Sequence, residues 1–205
     1  MSQPASPQPV NHHADHPGFA GIGGALCGLA FLAVGRANAR LAVSLAQPTA
    51  GDHVVDVGCG PGTAARAAAR RGASVTGVDP AETMLRMARA VTRHRDVAWA
   101  EGSAEALPVA DGAATVVWAL ATVHHWRDAN AGVTEAHRVL QPGGLLLAIE
   151  RRTTRDATGL ASHGWTREQA ESFGALCRST GFVDVDVRAE RAGRRDVWAV
   201  IGHRA

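Results

Sequence analysis

From about residue 50 onward, short apolar runs alternate with stretches of helical period. The runs are His53–Val57 (HVVDV), Ser74–Val78 (SVTGV), Val97–Glu101 (VAWAE), Ala114–Ala119 (ATVVWA) and Gly144–Ile149 (GLLLAI). Apolar runs without strict polar alternation suit strands covered on both faces. The spacing predicts helices in the gaps, over Thr63–Arg71, Ala81–Thr92 and Asn130–Leu140. Gln141-Pro142-Gly143-Gly144 stops the third helix and turns the chain into the fifth strand. This alternation is the signature of βα units around a parallel sheet.

The two ends read differently. Thr166–Thr180 reads as a helix, with Thr166 and Gln169 at capping-box spacing. Val183–Glu190 and Asp196–Gly202 follow as strands around Ala192-Gly193. A hairpin there makes the far edge of the sheet antiparallel. At the other end, residues 1–17 read as a flexible arm, and residues 18–49 as helical cover for the domain at 50–205. The apolar stretch 19–34 is interrupted by Gly and is shorter than the ~20 residues that span a bilayer. Membrane insertion is not expected.

Composition narrows the function classes. Hydrophobic residues at 46% and charged residues at 20% of 205 exclude wholesale disorder. Lys is absent, so a phosphate-binding P-loop is excluded. The net charge of +2 and the scattered Arg pairs do not form the basic patch of a nucleic-acid binder. Cys27, Cys59 and Cys177 make neither a disulfide framework nor a zinc motif. With no secretory pattern at the start of the chain, the expected compartment is the cytoplasm.

The strongest chemical signal follows the first strand, in Asp56-Val57-Gly58-Cys59-Gly60-Pro61-Gly62-Thr63. Glycines at the carboxyl end of a strand let a ligand approach the backbone. A second acid, Asp79, ends the second strand about twenty residues on, where a carboxylate accepts from both hydroxyls of a ribose. The pair points to an adenosine-containing cofactor. The spacing is GxGxG and not the dinucleotide GxGxxG, and Asp56 beside the loop suits a cationic group better than a pyrophosphate.

The series DVGCGPGT, GVDPAETMLRMAR, EGSAEALPVADGAATVVWALATVHHW and EAHRVLQPGGLLLAIE resembles class I S-adenosylmethionine-dependent methyltransferases. It is most similar to the branch of the ubiquinone/menaquinone-biosynthesis C-methyltransferases. The resemblance covers about residues 50–150. It implies a Rossmann-like three-layer α/β sandwich with a seven-stranded, mostly parallel sheet whose last strand is antiparallel. It also implies site roles. Gly58, Cys59, Gly60 and Gly62 pass under the cofactor, and Asp56 lies near its methionine amino group. Asp79 holds the ribose, Pro80 and Met84 flank the adenine, and the backbone of Ala119 or Leu120 accepts from the ammonium. The chain departs from the branch at Ser103, where an Asp usually accepts from the adenine amino group. Ser103 and the Ala104 N–H are the replacements.

Ten histidines are many for this length. His124 and His125, followed by Trp126, come after the fourth strand; His163, near Trp165, comes after the fifth. Methyl transfer needs the nucleophile aligned with the methyl group and often deprotonated. A neutral imidazole suits that task, so His125, His124 and then His163 are the catalytic candidates. The arm carries His12, His13 and His16, but adjacent residues rarely both ligate one ion, so no metal is expected. The expected activity is methylation of a small molecule. A nicotinamide-dependent oxidoreductase and a non-catalytic S-adenosylmethionine binder are the alternatives. Acceptor and oligomeric state are not written in the chain.

Overall fold

The computed structural model describes residues 35–93 and 96–205. The arm, the apolar stretch 19–34 and His12, His13 and His16 lie outside the described residues. The first described element is a helix, α1, over 35–46.

Seven strands follow: β1 His53–Val57, β2 Ser74–Asp79, β3 Val97–Glu101, β4 Ala114–Leu120, β5 Leu140–Arg151, β6 Phe182–Ala192 and β7 Arg195–Arg204. The helices between them are α2 Thr63–Ala69, α3 Glu82–Val91, α4 Ala129–Val139 and α5 Arg167–Ser179. The strands form one sheet in the order β3-β2-β1-β4-β5-β7-β6. All pairs from β3 to β5 are parallel, and β7 runs antiparallel to both of its neighbours. The expected seven-stranded, mostly parallel sheet with an antiparallel last strand is present, but that strand, β7, lies between β5 and β6 instead of at the far edge.

Alternation along the strands makes the layers. In β4, Val117 and Ala119 face one core with Trp126, Val133, Trp165 and Phe173. Val116 and Trp118 face the other, with Ala39 and Ala42 of α1 and Ala64, Ala65 and Ala68 of α2. Small residues let α1 and α2 approach the sheet closely, and Trp118, 0% exposed, fills the space they leave. Truncating a tryptophan so buried costs about 3–5 kcal/mol.

Most element boundaries agree with the sequence to within two residues. The largest difference is β5, which begins at Leu140 instead of Gly144. The register jumps from Ala114↔Leu140 to Val116↔Leu145, so Gln141–Gly144 loops out as a bulge within the strand. Gly143 at φ 77° makes that turn. The Thr166/Gln169 capping box is present in both directions. No helix among the described residues is long and apolar enough to cross a membrane.

Candidate functional site

The order β3-β2-β1-β4-β5 reverses direction between β1 and β4, and ligands of open α/β sheets bind outside the carboxyl ends at such a point. The β1–β4 ladder ends at Val57↔Ala119, whereas β4 and β5 pair on to Leu120↔Ile149. Leu120 therefore stands one residue beyond β1, beside the glycine loop.

That loop is tied down by backbone and by two acids. Gly58 and Cys59 donate to the Val78 carbonyl at 2.8 and 3.0 Å. Gly58, Gly60 and Gly62 all have positive φ, 66°, 52° and 76°. A side chain on Gly62 would enter the Trp99 ring, whereas a Cβ on Gly60 meets nothing within 4 Å. The loop is closed beneath and open above Gly60. That open face, beside the buried carboxylate of Asp79, leaves room for an adenosine group.

Asp79, 7% exposed, accepts from the Gly60 N–H at 2.8 Å with one oxygen and from the Ala81 N–H at 2.9 Å with the other. Burial raises its pKa, and these two bonds oppose the rise. Asp56, 2% exposed, accepts from the Ala65 N–H at 3.0 Å and so caps α2 from the strand below. Burial pushes its pKa up to about 7, opposed by the Trp118 side chain and the Ala65 N–H and helped by the Asp79 charge. Cys59 is buried, and burial holds its thiol far above the usual range.

Among the other cofactor candidates, Met84 is buried in α3 and Pro80 is exposed at the end of β2. Ser103 bridges to Ala106 in a tight turn, with Ala104 buried. Glu105, which sequence reading leaves without a role, accepts from the Arg127 and Asp128 N–H groups at 2.7 and 3.2 Å. It thereby joins the loop after β3 to the loop after β4.

The candidate histidines converge. The chain leaves β4 through Ala121, whose φ of 56° is unusual for a residue with a Cβ and costs ~1–3 kcal/mol. Val123–His125 then forms a 3-10 turn. His163 arrives from beyond β5 on a segment hooked to that strand: Trp165 N–H donates to the Arg151 carbonyl at 2.8 Å, and Thr153 N–H donates to the Trp165 carbonyl at 2.9 Å. Ring centroids lie 4.0 Å apart for His124 and His125, 5.3 Å for His124 and His163, and 5.5 Å for His125 and His163.

Sequence reasoning missed the residue that organises this cluster. Glu150, 0% exposed at the end of β5, accepts from His124 Nδ1 at 2.8 Å and from its backbone N–H at 3.4 Å. Burial works to lower the His124 pKa, but the charge and hydrogen bond of Glu150 outweigh it and raise it. An acid closing an apolar strand, as Asp56 and Asp79 do, was the available signal. Trp126 and Trp165 pack against Phe173 in the core, at centroid distances of 6.2 and 4.9 Å.

Comparison with known proteins agrees with this geometry. Residues 55–148 match the model of a methyltransferase domain. The chain is 37% identical over 114 residues to the ubiquinone/menaquinone biosynthesis C-methyltransferase UbiE of Rubrivivax gelatinosus, covering 56% of this chain and 45% of that one. The chain thus spans less than half the length of that relative. Among solved structures, a SAM-dependent methyltransferase from Aquifex aeolicus superposes with a TM-score of 0.68 at 17% identity, over 82% of this chain and 89% of that one. The [4+2]-cyclase SpnF superposes at 0.63 and 21% identity, over 81% of each chain. The sheet is the fold of solved SAM-dependent methyltransferases, and residues 55–148 are similar to a methyltransferase domain. Over the matched stretch, the chain is similar to methyltransferases named for quinone biosynthesis. The fold alone does not set the reaction, since the [4+2]-cyclase SpnF shares it.

Proposed function

We propose that this chain transfers a methyl group from S-adenosylmethionine to a small-molecule acceptor seated beside His124, His125 and His163. When bound, the cofactor supplies an electrophilic methyl group on a sulfonium. The glycine loop carries its backbone past Gly60, and the remaining lone pairs of Asp79 take the ribose hydroxyls. Asp56 and the backbone of Ala119 or Leu120 receive the ammonium end. Ser103 and the Ala104 N–H face the adenine, between Pro80 and Met84. The imidazoles orient the acceptor and assist loss of its proton.

The observation that carries this reading is the contact between the two halves. A Cβ on Gly58 would stand 2.1 Å from Thr122 Oγ1. The loop that holds the cofactor and the loop that presents the histidines therefore touch.

Calorimetric titration with S-adenosylmethionine, S-adenosylhomocysteine and NAD tests it. The first two should bind and NAD should not, and Asp79→Ala should weaken binding by about a hundredfold, or roughly 2.7 kcal/mol. NAD binding alone, or unchanged affinity in Asp79→Ala, would overturn the assignment. Turnover follows with labelled methyl donor, and the name of the Rubrivivax relative makes quinone precursors the first acceptors to try.

A further inference from the structure

The three imidazoles are arranged for more than proton transfer. Each offers a ring nitrogen, and these nitrogens all lie within 4.8 Å of one another. Adjacent residues usually point apart, because side chains alternate along a strand. Val123–His125 is instead a 3-10 turn, which sets the His124 and His125 rings side by side at 4.0 Å. Two nitrogens on a tetrahedral ion with 2.0–2.1 Å bonds stand roughly 3.3 Å apart. Rotations of the rings that move each nitrogen by about 1 Å close the set.

The surroundings match what a metal-ligating histidine requires. Such a ring commonly donates its second N–H to a carboxylate, which fixes its orientation and raises its basicity. Nδ1 of His124 is held in this way by Glu150, a carboxylate with no solvent exposure, at 2.8 Å. The ligand nitrogen of His124 is then Nε2. His163 is also held in place. Gly164, at φ 141°, lets its segment lie so close to β5 that a Cβ there would meet the Arg151 carbonyl at 2.2 Å.

We propose that His124, His125 and His163 bind a divalent first-row transition metal ion such as Zn2+, leaving a coordination position for the methyl acceptor. Three protein ligands with an open position characterise catalytic, not structural, sites. Imidazole donors select this metal class over Mg2+ or Ca2+. The acceptor class follows: a hydroxyl or enol oxygen, best with a neighbouring oxygen to complete the coordination. Ligation acidifies such a hydroxyl, which releases its proton to solvent. Transfer then forms an oxygen–carbon bond as the sulfonium–methyl bond breaks, and a neutral thioether leaves. This last role rests on the methyltransferase reading; the metal site itself does not.

The test uses tag-free, full-length protein in which His12, His13 and His16 are replaced by Ala, so that the arm contributes no signal. Titration with Co2+ should give one ion per chain, with visible absorption of a low-coordinate N-ligated ion that Zn2+ abolishes. His163→Ala and His125→Ala should each weaken Co2+ binding by at least about tenfold, the lower end of what loss of an outer-shell partner costs. Their circular dichroism and S-adenosylhomocysteine affinity should be unchanged. Absence of the Co2+ spectrum, or a spectrum that survives both substitutions, overturns the site. Metal binding without S-adenosylhomocysteine binding keeps the site and defeats the methyltransferase reading instead.

Discussion

Around the ends of β1 and β2 the candidate site is backbone held by two carboxylates; around the ends of β4 and β5 it is three rings held by one. In the first region the candidate groups are the two carboxylates, the backbone carbonyl of Ala119 or Leu120, and the open space above Gly60. Asp56 and Asp79 fasten that backbone from below, through Ala65, Gly60 and Ala81. In the second region the functional atoms are ring nitrogens, and the backbone is what bends to place them. Ala121 and Gly164 both take positive φ, and Glu150 fixes the ring of His124. The first design suits a ligand recognised by shape and a few hydrogen bonds. The second suits one that is activated.

The largest expected effect comes where the regions touch. Gly58→Ala adds a Cβ at φ 66° that overlaps Thr122 Oγ1. The strain alone costs ~1–3 kcal/mol, and relief of the overlap must move one loop away from the other. Both S-adenosylhomocysteine affinity and methyl transfer should fall by about a hundredfold or more, with a lower Tm. Calorimetry and labelled-methyl turnover on the same preparation measure it. Loss of turnover with affinity intact would show that the cofactor loop does not depend on its contact with Thr122.

The same comparison explains what the sequence made legible. The cofactor half is contiguous: the glycines follow β1 directly, and Asp79 ends the next strand. Local pattern was enough to place both, and the resemblance added roles. The antiparallel last strand was also within reach, because the tail hairpin could be read from its turn; its insertion between β5 and β6 was not, because no local pattern marks which strand of a hairpin pairs inward. The histidine half is not contiguous. His163 lies far along the chain from His124, and only the hook of Trp165 onto Arg151 brings it back. The strain at Ala121 has no sequence signature, since alanine is common in strands and helices alike. Glu150 was hidden because a single acid after LLLAI reads as the exposed end of a strand. The bulge at Gln141–Gly144 was read as a turn outside β5, which is right about the residues and wrong about the pairing across them.

A smaller effect separates the two acids of the first region. Asp56 carries a pKa raised by burial to about 7 from 3.8. Below pH 3.8 the carboxyl is protonated in both folded and unfolded chains, and it costs nothing. As pH rises toward 7, the unfolded carboxyl ionises while the folded one does not, so stability falls. Above pH 7 the cost is fully present, on the order of 4 kcal/mol. Asp56→Asn keeps an acceptor for the Ala65 N–H and removes the charge. It should unfold at higher urea than the parent at pH 8, by ~2–4 kcal/mol, and the advantage should vanish near pH 4. Binding of the cationic cofactor should weaken in the same variant, because the ionised carboxylate is what it favours. A stability difference independent of pH would mean that Asp56 is not held neutral in the fold.

The smallest effect isolates the second region. Gly164→Ala places a Cβ against the Arg151 carbonyl at a φ of 141°, where L-residues are strained. The segment must lift from β5, and His163 lifts with it, while Gly58, Gly60, Asp56 and Asp79 keep their partners. S-adenosylhomocysteine affinity should stay within about twofold. Methyl transfer should drop roughly tenfold, about 1.4 kcal/mol in transition-state stabilisation. Single-turnover rates with saturating labelled donor separate the two quantities. If turnover falls only because cofactor affinity falls, the two regions form one unit. If turnover falls alone, they are separable, with the cofactor held by β1 and β2 and the acceptor addressed from β4 and β5.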